Sequence, residues 1–147
     1  MSTVQNNEEA IQLFHDMELL GGTEEPNGFD RSAAVAKFKL YVKDLEEKTG
    51  QEFNTDTGGE VQDASFHSQV YFYNPYAWLK FSSYGNMVCL FETEDGLDKS
   101  LRSIILELLD EHGYKYVPQE YVELEYDGDN PGVSGFRDWS YRFFDWI

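Results

Sequence analysis

The stretch between Asp63 and Glu92 has the densest apolar pattern of the chain and predicts the centre of the fold. It contains nine of the 24 aromatic residues, and its only fixed charge belongs to Lys80. Turn-forming residues occur at Asn74-Pro75 and at Tyr84-Gly85-Asn86. The pattern therefore predicts three successive antiparallel strands that are largely buried.

The first of these strands has two faces of different chemistry. Alternate side chains of a strand point to opposite sides of the sheet. One face is mostly apolar and is expected in the core; it contains Phe66, Ser68, Val70 and Phe72. The other is a mixed polar and aromatic face; it contains His67, Gln69, Tyr71 and Tyr73. Both faces of the third strand, Met87 to Phe91, are apolar, which predicts cover on both sides.

Two helices are predicted before the strands. The first has an apolar stripe at three- and four-residue steps and stops at Gly21-Gly22. Its stripe contains Ala10, Leu13, Phe14, Met17 and Leu20. In the second, Asp30 is a candidate cap and Gly50 a terminator. Its apolar face contains Ala34, Phe38, Tyr41, Val42 and Leu45. The polar segment 51–60 is either a short edge strand around residues 52–54 or a loop.

Further elements are predicted after the strands. Leucine and isoleucine residues from Leu97 to Leu109 form a helical stripe, for which Asp95 is the candidate cap and Gly113 the terminator. Residues 114–117 predict an extended segment that bends at Pro118, and residues 121–126 predict a strand. The last predicted helix has an apolar face and places Arg142 on the surface beside Asp138 and Asp145. Its apolar face contains Phe136, Trp139, Phe143, Trp146 and Ile147.

The order of these elements predicts one α+β domain over residues 1–147. We expect a mostly antiparallel sheet of about four to five strands, packed with the N-terminal helices, a central amphipathic helix and a C-terminal aromatic helix. Residues 1–7 are expected to fray. A length of 147 residues suffices to bury one ordinary core without disulfide or metal support.

The charge balance restricts the partners of the chain. It has 11 basic and 28 acidic residues, a net charge of −17. Such a field repels nucleic-acid phosphates and anionic membranes, so we expect neither as a partner. The same field speeds encounter with a basic protein, although excess carboxylates also serve solubility.

The single cysteine and the lack of a recognisable signal peptide predict a cytoplasmic protein. Cys89 is the single cysteine, so an internal disulfide is excluded and a reducing compartment is favoured. Its apolar neighbours predict a small buried hydrophobe. A basic region followed by an apolar run is missing from the N-terminal residues, and nowhere do about 18 apolar residues follow one another.

No pattern of catalytic or metal-binding residues is present in the sequence. His15, His67 and His112 lie in three separate elements and do not have metal-ligand spacing. Phosphate-binding glycine loops and nucleophile motifs are absent as well. We therefore predict a non-catalytic protein with neither a metal nor another cofactor.

The segment from Tyr121 to Asp127 is the candidate partner-binding surface. As a strand, it directs Val122, Leu124 and Tyr126 inward. The outward row contains Tyr121, Glu123, Glu125 and Asp127, and Asp129 extends it into the next loop. Interfaces take energy from aromatic anchors and orientation from charge, so this row is expected to meet a basic partner.

Two other interpretations remain open. In one, the protein is a small enzyme or ligand-binding domain that uses the polar and aromatic face of the first strand, namely His67, Gln69, Tyr71 and Tyr73. A pocket with His67 inside would favour it. In the other, the protein mimics nucleic acid, with carboxylates spaced like phosphates.

In its size, acidity and aromatic content, the chain resembles bacterial immunity proteins, which neutralise polymorphic or contact-dependent toxins. The likeness rests on the net charge of −17, the acidic row at Glu123, Glu125 and Asp127, and the aromatic ending FRDWSYRFFDWI. The resemblance implies a non-catalytic inhibitor that binds a cognate toxin, such as a basic nuclease, and blocks its active cleft.

Overall fold

A five-stranded sheet forms the centre of the protein. The computed structural model describes residues 3–57, 64–73, 75–128 and 137–146. The strands are β1 (Asn54–Thr57), β2 (Phe66–Phe72), β3 (Ala77–Ser82), β4 (Met87–Glu92) and β5 (Lys115–Tyr116), in the order β1-β2-β3-β4-β5. The first three pairings are antiparallel and the last is parallel. The predicted α+β class with a mostly antiparallel sheet is confirmed, and residues 54–57 form an edge strand rather than a loop.

Local sequence signals set the bounds of the first two helices. In α1 (Asn7–Glu18), the Asn6 side chain caps the first turn by accepting from the Glu9 N–H. In α2 (Arg31–Thr49), Asp30 accepts from the Ala33 N–H, and Gly50 ends the helix at φ +68°. Glycine adopts this left-handed backbone conformation readily, because it has no Cβ to clash. The caps predicted at Asp30 and Gly50 are confirmed.

The third helix, α3 (Lys99–Glu111), begins later than the predicted cap at Asp95. Asp98 caps it instead, because its carboxylate accepts from the N–H groups of Ser100 and Leu101. Helices α2 and α3 cover one face of the sheet. The buried cluster between them and the sheet includes Phe38, Tyr41, Leu45, Leu79, Phe81, Val88, Leu90, Ile105 and Leu109.

A second buried cluster covers the opposite face of β4. It joins α1, α4 (Gln119–Val122) and α5 (Trp139–Phe143) to the sheet. Its members include Val4, Phe14, Tyr84, Met87, Cys89, Val122, Trp139, Phe143 and Phe144. The prediction that β4 is covered on both sides is confirmed.

Residues 3–7, which were expected to fray, lie against β5. Thr3 forms an isolated parallel bridge with Tyr116, and the Val4 N–H donates to the Tyr116 carbonyl at 3.0 Å. The Val4 side chain is buried in the second cluster. Burial of one valine and a backbone hydrogen bond together hold the segment in place. Residues 1 and 2 are outside the described residues.

The strand predicted at 121–126 is wrong. Residues 119–122 instead form the single turn of α4, which begins directly after Pro118. The Tyr121 N–H bonds to the Pro118 carbonyl and the Glu123 N–H to that of Gln119, so the local backbone pairs within the turn rather than with a neighbouring strand. Glu125 makes only an isolated bridge with Asp138.

The C-terminal helix is shorter than predicted. It spans residues 139–143, and Trp139 and Phe143 are buried as expected. Trp146 lies beyond it and forms an isolated bridge with Ala64. Phe136 and Ile147 are outside the described residues. The surface position predicted for Arg142 is wrong, because its side chain is fully buried.

Candidate functional site

Two segments that are distant in the chain and rich in carboxylates contact each other in the fold. Residues 5–25 and 119–128 contain ten Asp and Glu residues and no Lys or Arg. The segments meet where α1 packs against α4. Tyr121 donates its hydroxyl to the Gln5 carbonyl at 3.0 Å, and Tyr126 donates to the Glu18 carboxylate at 3.1 Å. We call residues 5–25 and 119–128 the acidic side.

The helix layer on the other face of the sheet has a different charge balance. Seven of the chain's 11 Lys and Arg residues lie in α2 and α3, together with six carboxylates. The helix layer is therefore close to neutral, while the acidic side carries a concentrated negative charge. A field gathered on one side orients an approaching cation more strongly than the same charges spread evenly.

A cleft of about 400 Å³ lies on the acidic side, between α1 and the turn at Asp127-Gly128. His15 Nε2 lies 3.0 Å from Asp127 Oδ1 across this cleft. The Leu19 side chain, which also lines the cleft, is 85% exposed. An exposed leucine beside carboxylates resembles the arrangement of protein interfaces, in which an apolar centre is surrounded by a polar rim.

Nearby partners moderate part of this charge. Glu18 accepts hydrogen bonds from Tyr126 and from the buried Arg142. Glu9 lies 3.4 Å from the Lys115 ammonium. The exposed carboxylates Asp16, Glu123 and Glu125 therefore form the less compensated part of the acidic side.

The predicted partner-binding residues occupy different positions on this side. Glu123, Glu125 and Asp127 are exposed, although they do not lie on a strand. Tyr121 is half-buried and packs against the second core cluster, so it is a poorer anchor than predicted. Asp129 is outside the described residues. The inward set, Val122, Leu124 and Tyr126, packs against the core as expected.

The alternative ligand-binding set does not converge in the structure. An irregularity between Phe66 and Ser68 in the pairing of β2 with β3 interrupts the alternation of side chains. As a result His67 faces the helix layer, with its ring 6.5 Å from Phe38 and 6.4 Å from Phe81. The expectation that His67 shares a face with Gln69 and Tyr71 is wrong.

His67 is held as a neutral residue. Burial, with the charges of Arg31 and Lys37 nearby, lowers its pKa to about 4. Its Nδ1 atom lies 2.8 Å from the Ser68 hydroxyl. A histidine with this pKa is a weak base at neutral pH, which makes it unsuited to general-base work there.

Gln69 and Tyr71 form a polar cluster with Asp56 on the opposite face. The Gln69 amide donates to Asp56 at 3.2 Å and to the Tyr71 hydroxyl at 2.9 Å, and Tyr71 donates to the same carboxylate. Gln69 is only 1% exposed. Tyr73 follows the end of β2 and is exposed. The cluster links β1 to β2, and we assign it a structural role.

Three further features of the described residues bear on metal binding, thiol reactivity and membrane spanning. Residues 3–57, 64–73, 75–128 and 137–146 contain no group of three or more His, Cys, Asp or Glu side chains placed to hold a metal ion. Burial raises the pKa of the Cys89 thiol, which keeps it protonated and unreactive. Within the same residues, none of the helices combines the length and apolar character needed to cross a bilayer.

Sequence reasoning missed the α1 half of the acidic side. Asp16 and Leu19 lie about a hundred residues from Asp127 in the chain, and only tertiary packing brings them to one cleft. One signal was available: residues 5–25, which include α1, contain six carboxylates and no Lys or Arg. A helix of that composition is a candidate for the same surface as the acidic segment at 119–128.

Comparisons with known proteins identify no relative. No family model, curated protein or solved structure matches this chain.

Proposed function

We propose that this chain is a non-catalytic protein-binding module whose acidic side contacts a basic protein. The observation that carries the proposal is the contact between two segments that together contain ten carboxylates and no Lys or Arg, with Asp16, Glu18 and Asp127 lining a cleft that also exposes Leu19. Charges arranged in this way cost stability through mutual repulsion. Contact with cations would relieve that repulsion.

The finer proposal is an inhibitor of the immunity type. Its partner would be a basic toxin, such as a nuclease whose own active cleft binds phosphates. A negative surface that fills such a cleft competes with the substrate by charge and by shape. The exposed Leu19 would enter an apolar recess of the partner, and the surrounding carboxylates would set the orientation of the two proteins.

Exchanging Glu123 and Glu125 for lysine tests the role of the acidic side. We expect the Glu123→Lys/Glu125→Lys variant to bind its basic partner at least about tenfold more weakly, because two attractive charges become repulsive. The affinity of the parent protein should fall steeply as NaCl rises, since mobile ions screen exposed charges, and that of the variant should fall less steeply. The partner is the basic protein that co-purifies with the tagged chain from its native host at low salt, or the product of the neighbouring reading frame. Calorimetry at several salt concentrations measures the dissociation constants.

Glu107→Lys/Glu111→Lys is the matched control. Both residues are exposed on α3, and the variant changes the net charge by the same amount on the opposite layer. Equal weakening by the two variants would reduce the effect to net charge and contradict a specific acidic side. The inhibitor proposal also predicts that co-expression restores growth to cells producing the partner. A partner whose toxicity persists would contradict inhibition.

A further inference from the structure

Three aromatic rings form a ladder where the β2–β3 hairpin turns, and two of them are exposed. The ring centroids of Tyr73 and Tyr76 lie 5.6 Å apart, and those of Tyr76 and Trp78 lie 6.5 Å apart with nearly parallel planes. Tyr73 is 55% exposed and Tyr76 is 56% exposed. Adjacent exposed aromatic residues are characteristic of binding surfaces, because they offer large contact area at a small cost in side-chain entropy.

A cleft of about 330 Å³ lies beside this ladder. It separates the start of β1 from the N-terminal end of α3, and Tyr73, Glu52 and Asp98 are among its lining residues. Lys and Arg are absent from its lining residues in the described part of the chain. The cleft therefore combines aromatic and anionic walls.

Cation–π contacts occur elsewhere in this protein. The Lys80 ammonium lies 4.7 Å from the centroid of Phe66, 5.3 Å from that of Phe91 and 5.0 Å from that of Trp146. The Arg142 guanidinium lies 4.7 Å from the ring of Tyr84. No Lys or Arg among the described residues occupies the same position over the ladder.

We propose that the ladder of Tyr73, Tyr76 and Trp78, with its cleft, docks an arginine-containing segment of a basic polypeptide. A guanidinium stacks on the exposed tyrosine rings and reaches the exposed carboxylate of Glu52. Arginine suits this site better than lysine, because its planar group stacks on rings while it donates hydrogen bonds in its own plane.

Charge argues against other occupants. A second copy of this chain would bring another net charge of −17 to the surface. Nucleic acid would be repelled in the same way, even though bases stack well on aromatic rings. A cationic polypeptide gains from both the rings and the field.

The ladder is separate from the acidic side. The opposite end of the sheet carries Tyr84, whose hydroxyl bonds to the Gly21 carbonyl of the α1 linker at 2.9 Å. Strands of six residues place the two ends roughly 20 Å apart. The inference rests on the proposed function only in taking the partner to be basic, and the ladder provides it with a second contact.

Titration of the full-length, ¹⁵N-labelled protein with a defined peptide tests this inference. The probe is an eight-residue peptide of alternating arginine and glycine, and its counterpart has lysine in place of arginine. At low salt we expect the arginine peptide to shift the amide resonances of Tyr73, Tyr76, Trp78, Glu52 and Asp98, and to bind more tightly than the lysine peptide. Tyr73→Ala/Tyr76→Ala should weaken its binding by about tenfold.

Variants of the acidic side separate the two proposals. Glu123→Lys/Glu125→Lys should leave the peptide-induced shifts at the ladder in place. Shifts confined to the cleft at His15 and Asp127, or no shifts at all, would overturn the inference and leave the proposed function to its own test. Equal binding of the two peptides would also overturn it. So would a Tyr73→Ala/Tyr76→Ala variant that binds the arginine peptide as tightly as the parent protein does. The converse result is that the arginine peptide binds at the ladder while Glu123→Lys/Glu125→Lys leaves binding of the natural partner unchanged. That result would contradict the proposed function and leave this inference standing.

Discussion

Arg142→Met is expected to lower the free energy of unfolding by about 3–5 kcal/mol, the cost of breaking a buried ion pair. The Arg142 side chain is 0% exposed. Its guanidinium donates to the Glu18 carboxylate, to the Gly22 carbonyl at 2.9 Å and to the Thr23 carbonyl at 3.1 Å. Methionine approximates its length but leaves all three acceptors without this donor. Urea denaturation followed by circular dichroism measures the loss.

The expected loss is large because Arg142 joins three parts of the fold. It connects α5 to the end of α1, to the linker after α1, and to the ring of Tyr84 at the β3–β4 turn. When the donor is removed, the acceptors stay buried without a hydrogen-bond partner, and their desolvation is no longer offset. The Glu18 carboxylate is the most expensive of these, since its side chain is only 12% exposed.

Two controls define the origin of the effect. Arg137→Met removes an exposed guanidinium from the same segment and should change stability by less than about 0.5 kcal/mol. Glu18→Gln/Arg142→Met should cost clearly less than the sum of the two single variants, with a coupling of about 1–3 kcal/mol. A cost for Arg142→Met near that of Arg137→Met would contradict the structural role of the buried pair.

Arg142 also shows where sequence reasoning reaches its limit. Its neighbours Asp138 and Asp145 are at helical spacing, so the local pattern predicts a surface ion pair. The carboxylate that binds it belongs to Glu18, 124 positions away. In the structure Asp138 caps α5 by accepting from the Tyr141 N–H. Arg142 lies between two aromatic residues in the sequence, so the local pattern permits either the buried or the exposed face of the helix. The tertiary contacts decide between the two faces.

The elements that were predicted correctly depend on local signals. Asp30 and Gly50 bound α2, and the apolar run from Met87 to Phe91 predicts β4, because capping and burial patterns act within a few residues. The segment at 121–126 was predicted less well. Its alternation of inward Val122 and Leu124 with outward Glu123 and Glu125 is correct for burial, yet the segment is the end of a helical turn followed by irregular backbone. Short segments often permit both interpretations.

The candidate site was predicted only in part for a similar reason. Glu123, Glu125 and Asp127 could be found from the sequence because they follow one another in a short segment. Their proximity to Asp16 and Leu19 depends on how α1 packs against α4, which no local pattern reveals. The position of His67 depends on one irregularity in the pairing of β2 with β3. Such an irregularity shifts the register by one residue, so the side chains before it no longer alternate in step with those after it.

His67 makes the stability of this protein sensitive to mild acid. Its pKa is about 4 in the folded protein, whereas an unfolded histidine titrates near 6.5. Between these values the unfolded chain binds more protons than the folded one, so the free energy of unfolding falls as pH falls. From pH 7 to pH 5 this residue alone should remove about 2 kcal/mol. Both pH values stay above the isoelectric point expected from the sequence, about 4.3, at which loss of net charge would favour aggregation.

The His67→Gln variant isolates this contribution from that of the carboxylates. Glutamine is polar and uncharged, so we expect the variant to be less stable than the parent protein at pH 7 and to close the gap by about 2 kcal/mol at pH 5. Urea denaturation at both pH values, with NMR titration of the histidine ring protons, measures the effect. Parallel stability curves for the parent and His67→Gln proteins would mean that His67 titrates normally in the folded state and is not held neutral beneath α2.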